Sequence, residues 1–497
     1  MMENYGSIRN RSINSPEDIN SINEVNRIEI ANDSQSLIPN HSQKTGYGTR
    51  HTQALLLFLG LVVAYGLRIN LSVAIVAMTN NSTNPDFPHL DWDTKTKGTI
   101  LSSFFWGYLI TQIPAGNLSR IYGPRLILFG GLLISGLATM LSPLIAVKGD
   151  WIFFCASRVC QGMFQGVIYP SLNTHMAKWI PPLERGRLIS FIYSGSQMGT
   201  VVTLFLTGHL AAGPWGWPGI FYATGAAAIV WAVVWFFIGA DLPETHPYIS
   251  QEEKFYIKSS LISSSSDSNL MATPWKDILK SGPMWALFLC HCGQNWGYWT
   301  FLTEMPSYLS HALGFDIKMD GVLSALPYLS MFVLTNILSW VGDYISSLNI
   351  VSKNFQRKMW NSIAHVGGAL ALVILGIYGT SVELAILLLT ISVALNGCVY
   401  MGFLCNHIDL SPNFAGVLVG ITNGCANISS IIGPLVAGFI LKDESNIEQW
   451  NIVFFLSALI FFLGNLIFII FGSTDVQYWN EPKSNNKQGI DNYSCTN

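Results

Sequence analysis

Charged residues are scarce in this sequence: Asp, Glu, Lys and Arg together make up 11% of its 497 residues. Soluble domains of average composition carry about 25%, so a string of ordinary water-soluble domains is excluded. An apolar h-region at the N-terminus is also missing. Residues 1 to about 48 are polar and rich in Asn and Ser, which reads as a disordered tail and not as a signal peptide. The chain lacks a metal-ligand pair such as HExxH, and the polar residues deep in its apolar stretches form no nucleophile–base set, so an enzyme is not expected. It has 8 cysteines, none of them in a predicted outer loop, which argues against a disulfide framework. Cys290-His291-Cys292 has no second cluster nearby and reads as helix packing, so neither a metal nor a resident cofactor is expected. The net charge of −3 says little by itself, and no nucleic-acid partner is expected.

Apolar residues, by contrast, are abundant: 50% of the chain is hydrophobic, and the mean hydropathy is +0.38. Apolar runs of about 20 residues are spanning helices. About twelve occur, at 51–78, 97–119, 125–146, 151–176, 187–211, 217–239, 282–310, 321–345, 358–379, 383–405, 414–441 and 450–472. The expected fold class is therefore an all-α polytopic membrane protein set in a lipid bilayer. Two six-helix bundles, 49–239 and 282–472, flank a cytoplasmic central loop, 240–281, with cytoplasmic tails at 1–48 and 473–497. The loop carries a flexible run, Ser263 to Ser266, and the capping box Ser250-Gln-Glu-Glu253, which announces a short helix.

Basic residues set the orientation. With both termini and the central loop in the cytoplasm, the outer loops hold Lys95, Lys97, Lys148, Lys318 and Lys442. Arg68 and Arg158 lie inside spans, and every other one of the 26 Lys and Arg residues falls on the inner side. The outer loop 79–96 contains overlapping glycosylation sequons at Asn80 and Asn81. In the tail, Asp33 followed by Leu37 and Ile38 has the acidic dileucine form that endolysosomal sorting adaptors read, with chance occurrence as the competing reading.

The chemistry gathers on few residues. Arg158 sits about two turns inside the fourth span, Gln161 and Gln165 follow at i+3 and i+7, and Tyr169 continues the same face. Gly162 and Gly166 form a strip of small residues along which another helix can approach. Arg68, in the first span, shares a stripe with Leu61, Tyr65 and Ser72; Glu304, in the seventh, shares one with Gly297, Thr300 and Phe301. Two deep arginines against one deep carboxylate leave about one positive charge unpaired. Such a charge is costly in hydrocarbon, so a small anionic substrate is inferred, against the alternative of salt bridges that only lock helices.

Desolvation favours the neutral form of a membrane carboxylate, which makes Glu304 the deep candidate for carrying a co-transported proton. His175, His291 and His407 are further titrating groups near helix ends, where an interfacial role competes. Asn423 and Asn427, at i and i+4, serve either substrate or helix packing. Trp106, Tyr108, Trp296, Tyr298 and Trp299 wall a cavity or fill the core. The halves also repeat in parallel: Tyr169 precedes Pro181 by twelve residues, and Tyr400 precedes Pro412 by twelve. Parallel halves suit a transporter with its site at their interface.

The junction Gly116-Asn-Leu-Ser-Arg120-Ile-Tyr-Gly123-Pro-Arg125 resembles the inner-loop motif of the major facilitator superfamily, with Ser119 in place of the usual acidic residue. It implies gating roles for Arg120 and Arg125, matched in the second half by Asp343. A finer resemblance is to the anion:cation symporters that include sialin, the vesicular glutamate transporters and the type I sodium/phosphate cotransporters. It is carried by Tyr65-Gly-Leu-Arg68-Ile-Asn-Leu-Ser72, Ser103 to Pro114, Lys178 to Arg185, Leu323 to Tyr328, Asn406-His-Ile-Asp-Leu-Ser-Pro412 and Gly420-Ile-Thr-Asn423. The stretch Gln294 to Pro306 is most similar to insect members named for inorganic phosphate cotransport.

This resemblance implies that Arg68 and Arg158 bind the substrate anion; the reading of the residues themselves has Gln161, Gln165 and Tyr169 supplying hydrogen bonds to it, with Asn423 as a further candidate. Leu101 stands where vesicular glutamate transporters carry a histidine. Gln161 and Gln165 replace two glutamates of sialin, and Asn173 replaces a nearby histidine. Glutamine cannot titrate, so coupling passes to Glu304, to Na⁺ or to the membrane potential. The preferred expectation is an H⁺-coupled organic anion symporter of an endolysosomal membrane. Na⁺-dependent phosphate uptake at the plasma membrane is the alternative, and a receptor that binds an anion without moving it is a second class.

Overall fold

The computed structural model describes residues 46–79, 87–261, 272–308, 320–379, 381–443 and 445–481, and all structural statements refer to these. The side chains of Val73, Thr94, Ala212 and of residues 301–307 and 320–325 also lie outside the description. Asp33, Leu37, Ile38, Asn80 and Asn81 therefore fall outside the described residues, as does the side chain of Glu304. Residues 1–47 and 48–497 form separate units; the architecture below is that of the second.

In its first half, α1 (Thr49–Thr79), α2 (Thr94–Tyr122), α3 (Pro124–Lys148), α4 (Trp151–Gly166), α5 (Ile168–Trp179), α6 (Arg185–Ala212) and α7 (Gly216–Ile238) follow one another. Two short helices of the linker, α8 (Gln251–Ser260) and α9 (Trp275–Lys280), lead to α10 (Gly282–Ser307), α11 (Asp320–Ser347) and α12 (Lys353–Tyr378). Then come α13 (Val382–Asn396), α14 (Phe403–Leu410), α15 (Ala415–Ile440) and α16 (Ile447–Phe471). Local chemistry sets the boundaries. Asp93 caps α2 by accepting from Thr96 N at 2.9 Å. The helix stops at Gly123, whose φ of +85° suits glycine, and Pro124 opens α3. Ser250 caps α8 through Glu253 N at 3.1 Å, as the capping box predicts.

Eight of the spans meet the length and apolarity needed to cross a membrane: α1, α3, α6, α7, α12, α13 with α14, α15 and α16. The other four, α2, α4 with α5, α10 and α11, pack into the same bundle, α2 against α4 and α15, α10 against α15 and α16, and α11 against α6 and α13.

Two spans expected to be continuous are broken. The fourth divides at Val167 into α4 and α5. Pro170 has no N–H to offer the carbonyl of Gly166, so the ladder is interrupted there. In the tenth, α13 ends at Asn396, a 3₁₀ turn covers Gly397–Tyr400, and α14 continues to Leu410, beyond the expected end near 405. A β-carbon on Gly402 would meet Asn361 of α12 at 3.0 Å, so glycine permits the close approach at this break. The halves share one further detail: 3₁₀ turns at Pro182–Glu184 and Pro412–Phe414 precede α6 and α15, near the prolines of the sequence repeat.

Glycines bring the helices together. Gly162 and Gly166 of α4 lie against Phe104 O and Thr111 of α2, where the strip of small residues places the crossing. Across the halves, Gly416 and Gly420 of α15 face Pro170 O and Gln112 O. α6 packs on α11, and α15 packs on both α2 and α5.

Candidate substrate cavity and charge lock

A cavity lies between the halves, with about 700 Å³ of space that includes its open solvent, lined by α1, α2, α5 and α6 on one side and by α10, α11, the Gly397–Tyr400 turn, α14 and α15 on the other. Arg68 is its fixed charge. The guanidinium carbon is 4.9 Å from the ring centroids of both Phe105 and Trp299, 5.0 Å from that of Tyr108 and 5.8 Å from that of Tyr65. Such cation–π contacts are worth about 0.5–2 kcal/mol each, depending on desolvation. They hold the cation in place and neutralise nothing. Nε and Nη2 of Arg68 have no hydrogen-bond partner among the described residues, and no described Asp or Glu lines the cavity.

Arg158 is placed differently. It is 2% exposed and does not line the cavity. Its Nη1 donates to Gln161 Oε1 at 2.6 Å, and Nη1 and Nη2 reach the carbonyls of Leu67 and Arg68 at 3.5 Å. Gln161 Nε2 in turn donates to Ser142 Oγ at 3.2 Å. Gln165 is buried with its Nε2 unpartnered among the described residues, and it too stands outside the lining. The two arginines still meet through one ring, that of Phe104, at 5.4 Å from Arg68 and 5.2 Å from Arg158. Of the six residues expected to touch substrate, Arg68, Tyr169 and Asn423 line the cavity; Arg158, Gln161 and Gln165 stand outside the lining, Arg158 against backbone carbonyls of α1 and Gln161 against Ser142 of α3.

Aromatic and amide side chains complete the lining. Tyr193 of α6 stacks between Tyr169, at 5.7 Å, and Tyr400, at 5.3 Å and 1° between planes. The two tyrosines of the sequence repeat thus meet on one ring. Tyr65 and Tyr169 share a hydroxyl hydrogen bond at 2.9 Å, Asn173 donates to the Tyr193 hydroxyl at 2.6 Å, and Gln197 donates to that of Tyr400 at 2.6 Å. Asn423 Nδ2 donates across the halves to Tyr108 and Gln112 at 3.2 Å each. Tyr108, Tyr298 and Trp299 are lining residues, Trp296 is not, and Trp106 is 50% exposed. Sequence reasoning missed Tyr193 and Gln197, whose one signal was a run of polar residues, Ser194 to Gln197, in an apolar span.

At the Arg-rich end the charges are paired. Asp409, buried in α14, accepts from Arg185 Nη1 at 2.6 Å, Arg357 Nε at 2.7 Å and Lys353 Nζ at 2.8 Å. Arg185 belongs to the first half and the other three to the second, so this cluster ties the halves. Asp343 accepts from Arg187 N at 3.0 Å, while the Arg187 guanidinium lies 4.4 Å from the ring of Trp340. Arg120 packs 5.0 Å from the ring of Phe414, also across the halves. Arg125 stays within its own half, where its N donates to Asp241 at 2.8 Å and its guanidinium to Phe236 O.

Arg50, 1% exposed, bridges Glu184 at 2.6 Å and Glu253 of α8 at 2.8 Å. Burial alone would raise the Glu253 carboxyl, but the N–H groups of Arg50 and Thr49 and the Arg50 guanidinium outweigh it and hold it below the ordinary glutamate range.

Among the described residues, eight spans are long and apolar enough to cross a membrane and further long helices pack with them around a cavity of polar and aromatic side chains, an arrangement that suits a secondary transporter. Residues 57–430 match the Major Facilitator Superfamily. The chain is 39% identical over 467 residues to a Drosophila ananassae protein named "Putative inorganic phosphate cotransporter", covering 89% of this chain and 96% of that one. It is 37% identical to sialin of Ovis aries, covering 86% and 90% of the two chains, and 35% identical to vesicular glutamate transporter 1 of Xenopus tropicalis, covering 88% and 77%. In fold it is similar to the proton:xylose symporter XylE, with a TM-score of 0.65 at 15% identity over 86% of this chain and 97% of that one. The chain belongs to the major facilitator superfamily; it is a multi-pass membrane transporter and not an enzyme.

Proposed function

We propose that this protein is a symporter of small anions in which substrate binds in the central cavity on Arg68, and that its substrate is organic and its coupling ion H⁺. One observation carries the reading: a guanidinium with two donors that have no partner among the described residues, caged by rings, in a cavity that no described carboxylate lines. An anion supplies both the missing acceptor and the missing charge. An organic anion is favoured because the cavity is walled by Tyr and Trp faces that would contact a carbon skeleton. Inorganic phosphate with Na⁺ is the second reading, on the name of the Drosophila relative.

Arg158, with Gln161 and Gln165 behind it, acts in this scheme as a second positive charge that raises the potential of the cavity without touching substrate. Glu304 is the carboxylate that the sequence offers for proton coupling. Arg120, Arg125 and Asp343 serve the closure of the Arg-rich end. Lys/Arg placement supports cytoplasmic termini. Asp33, Leu37 and Ile38 support adaptor-dependent sorting to endolysosomal membranes, and Asn80 and Asn81 support glycosylation opposite the Arg-rich end.

Purified protein in liposomes tests this with radiolabelled sialate, glutamate, urate and inorganic phosphate under imposed pH or Na⁺ gradients. Accumulation of an organic anion with an inward H⁺ gradient, lost with Arg68→Ala, is the expected result. Stimulation by Na⁺ alone overturns the proton version, and binding without accumulation overturns transport.

A further inference from the structure

Below the cavity, in the second half, three side chains from three helices form one chain of hydrogen bonds. His291 of α10 lines the cavity, and its Nδ1 is 3.1 Å from Thr422 Oγ1 on α15. His407 of α14 approaches the same hydroxyl with Nε2 at 2.9 Å, and its Nδ1 is 3.2 Å from Leu404 O. Both imidazoles are buried, their ring centroids 6.1 Å apart.

The carbonyl fixes every proton in this chain. Leu404 O only accepts, so His407 carries its proton on Nδ1 and presents a bare Nε2. Thr422 has one hydroxyl proton and gives it to that Nε2, since the competing acceptor, Val419 O, is 3.5 Å away. The threonine oxygen must then accept from Nδ1–H of His291. Nε2 of His291 is left as a free base, with no hydrogen-bond partner among the described residues, on a residue that borders the cavity.

The geometry points to His291, Thr422 and His407 as the proton-binding site and relay that couples anion transport to H⁺. This rests on the transport reading above. A proton taken up at Nε2 turns His291 into an imidazolium facing the cavity that holds Arg68. The added positive charge raises anion affinity, and a bound anion raises proton affinity by the same factor, which is the thermodynamic content of symport. Passage onward is balanced: Nδ1–H of His291 goes to Thr422 Oγ1 as the threonine proton goes to His407 Nε2. One N–H and one O–H break, one O–H and one N–H form, and the charge moves one helix nearer the Arg-rich end. Gln161 and Gln165 cannot do this, because a neutral amide neither takes up nor releases a proton near neutral pH.

The groups around the relay are few. Arg68 and the hydroxyls of Tyr298 and Tyr400 face the cavity, Cys290 and Cys292 flank His291 on α10, and His365 of α12 lies beyond Phe403. Asp409, two residues past His407, is already engaged by Arg185, Lys353 and Arg357 and does not compete for the proton.

Proteoliposomes separate the relay from the transport reading, with sialate, glutamate, urate and inorganic phosphate each used as a labelled probe. Exchange at equal pH on both sides tests anion transport alone; failure of the wild-type protein there, for every probe, overturns the transport reading. Accumulation driven by a pH gradient tests the relay. His291→Asn is expected to lower the ratio of gradient-driven accumulation to exchange by about tenfold or more, and Thr422→Val by a smaller factor. Wild-type affinity for the exchanged anion should weaken as pH rises, and His291→Asn should remove that slope. A ratio and a pH slope both preserved in His291→Asn, or a ratio lost with Glu304→Gln and kept in His291→Asn, overturns the inference.

Discussion

The middle of this molecule and its Arg-rich end treat a guanidinium in opposite ways. Arg185 and Arg357 at the end share one carboxylate, Asp409, at 2.6 and 2.7 Å, and Arg50 spans two, Glu184 and Glu253. Arg68 in the middle is given five aromatic rings and, among the described residues, no carboxylate, and Arg158 near it is given the neutral amide of Gln161. Paired charges close a protein; a charge left open selects what enters it. On the proposed function, the stability of the fold and the affinity of the site are therefore carried by the same residue type, divided by the presence of a partner.

That division breaks most visibly at Arg68. Arg68→Ala should cut anion exchange by about 100-fold or more, about 3 kcal/mol of lost charge-assisted contact, while the melting temperature stays within a few degrees of wild type. At the other end, Asp409→Asn leaves three cations without their carboxylate. It should cost about 3 kcal/mol in thermal unfolding and expose the Arg-rich end to thiol or proteolytic probes. Arg158 lies between the two cases. Gln161→Leu strips a buried cation of its shortest hydrogen bond and should cost about 2 kcal/mol, whereas Arg158→Met, which removes the charge as well, should cost less.

The smallest effect is expected at Glu253. Its carboxyl is held below the ordinary range, so its stabilising contribution is fully present above the unfolded value of 4.5 and is lost as pH falls through the lower folded value. Hydrogen exchange of α8 should quicken at acid pH by a factor worth about 1 kcal/mol or less, and Glu253→Gln should show the same exchange at neutral pH.

Much of this was legible in the sequence, for reasons that differ by residue. The spans follow from apolar length, and the closeness of α2 and α4 follows from Gly162 and Gly166. Arg68 declares itself because an arginine in an apolar helix needs a purpose. Arg158 declares itself equally, yet it meets carbonyls of α1 and does not line the cavity, because helical periodicity gives a face without naming the neighbour that face meets. The break at Val167 was recoverable from Pro170. The Tyr193 stack and the Asp409 cluster were not, since each joins residues more than 200 positions apart, Tyr193 to Tyr400 and Arg185 to Asp409, which no local pattern connects. His291 and His407 stood in the sequence as two scattered titrating groups; Thr422, which makes them one chain, lay in the Gly420–Asn423 stretch with nothing there to mark it as their link.

The contact between Arg50 and Glu253 bears on how the chain can be divided. Counted by sequence, α8 belongs to the central loop; counted by charge, it belongs to the first bundle, since Glu253 caps the N–H groups of Thr49 and Arg50 and pairs with the Arg50 side chain. A polypeptide cut after Leu261 carries its own counter-ion for Arg50 and is the fragment to co-express with the remainder. One cut before Gln251 begins its first helix with a buried cation that has lost the Glu253 carboxylate.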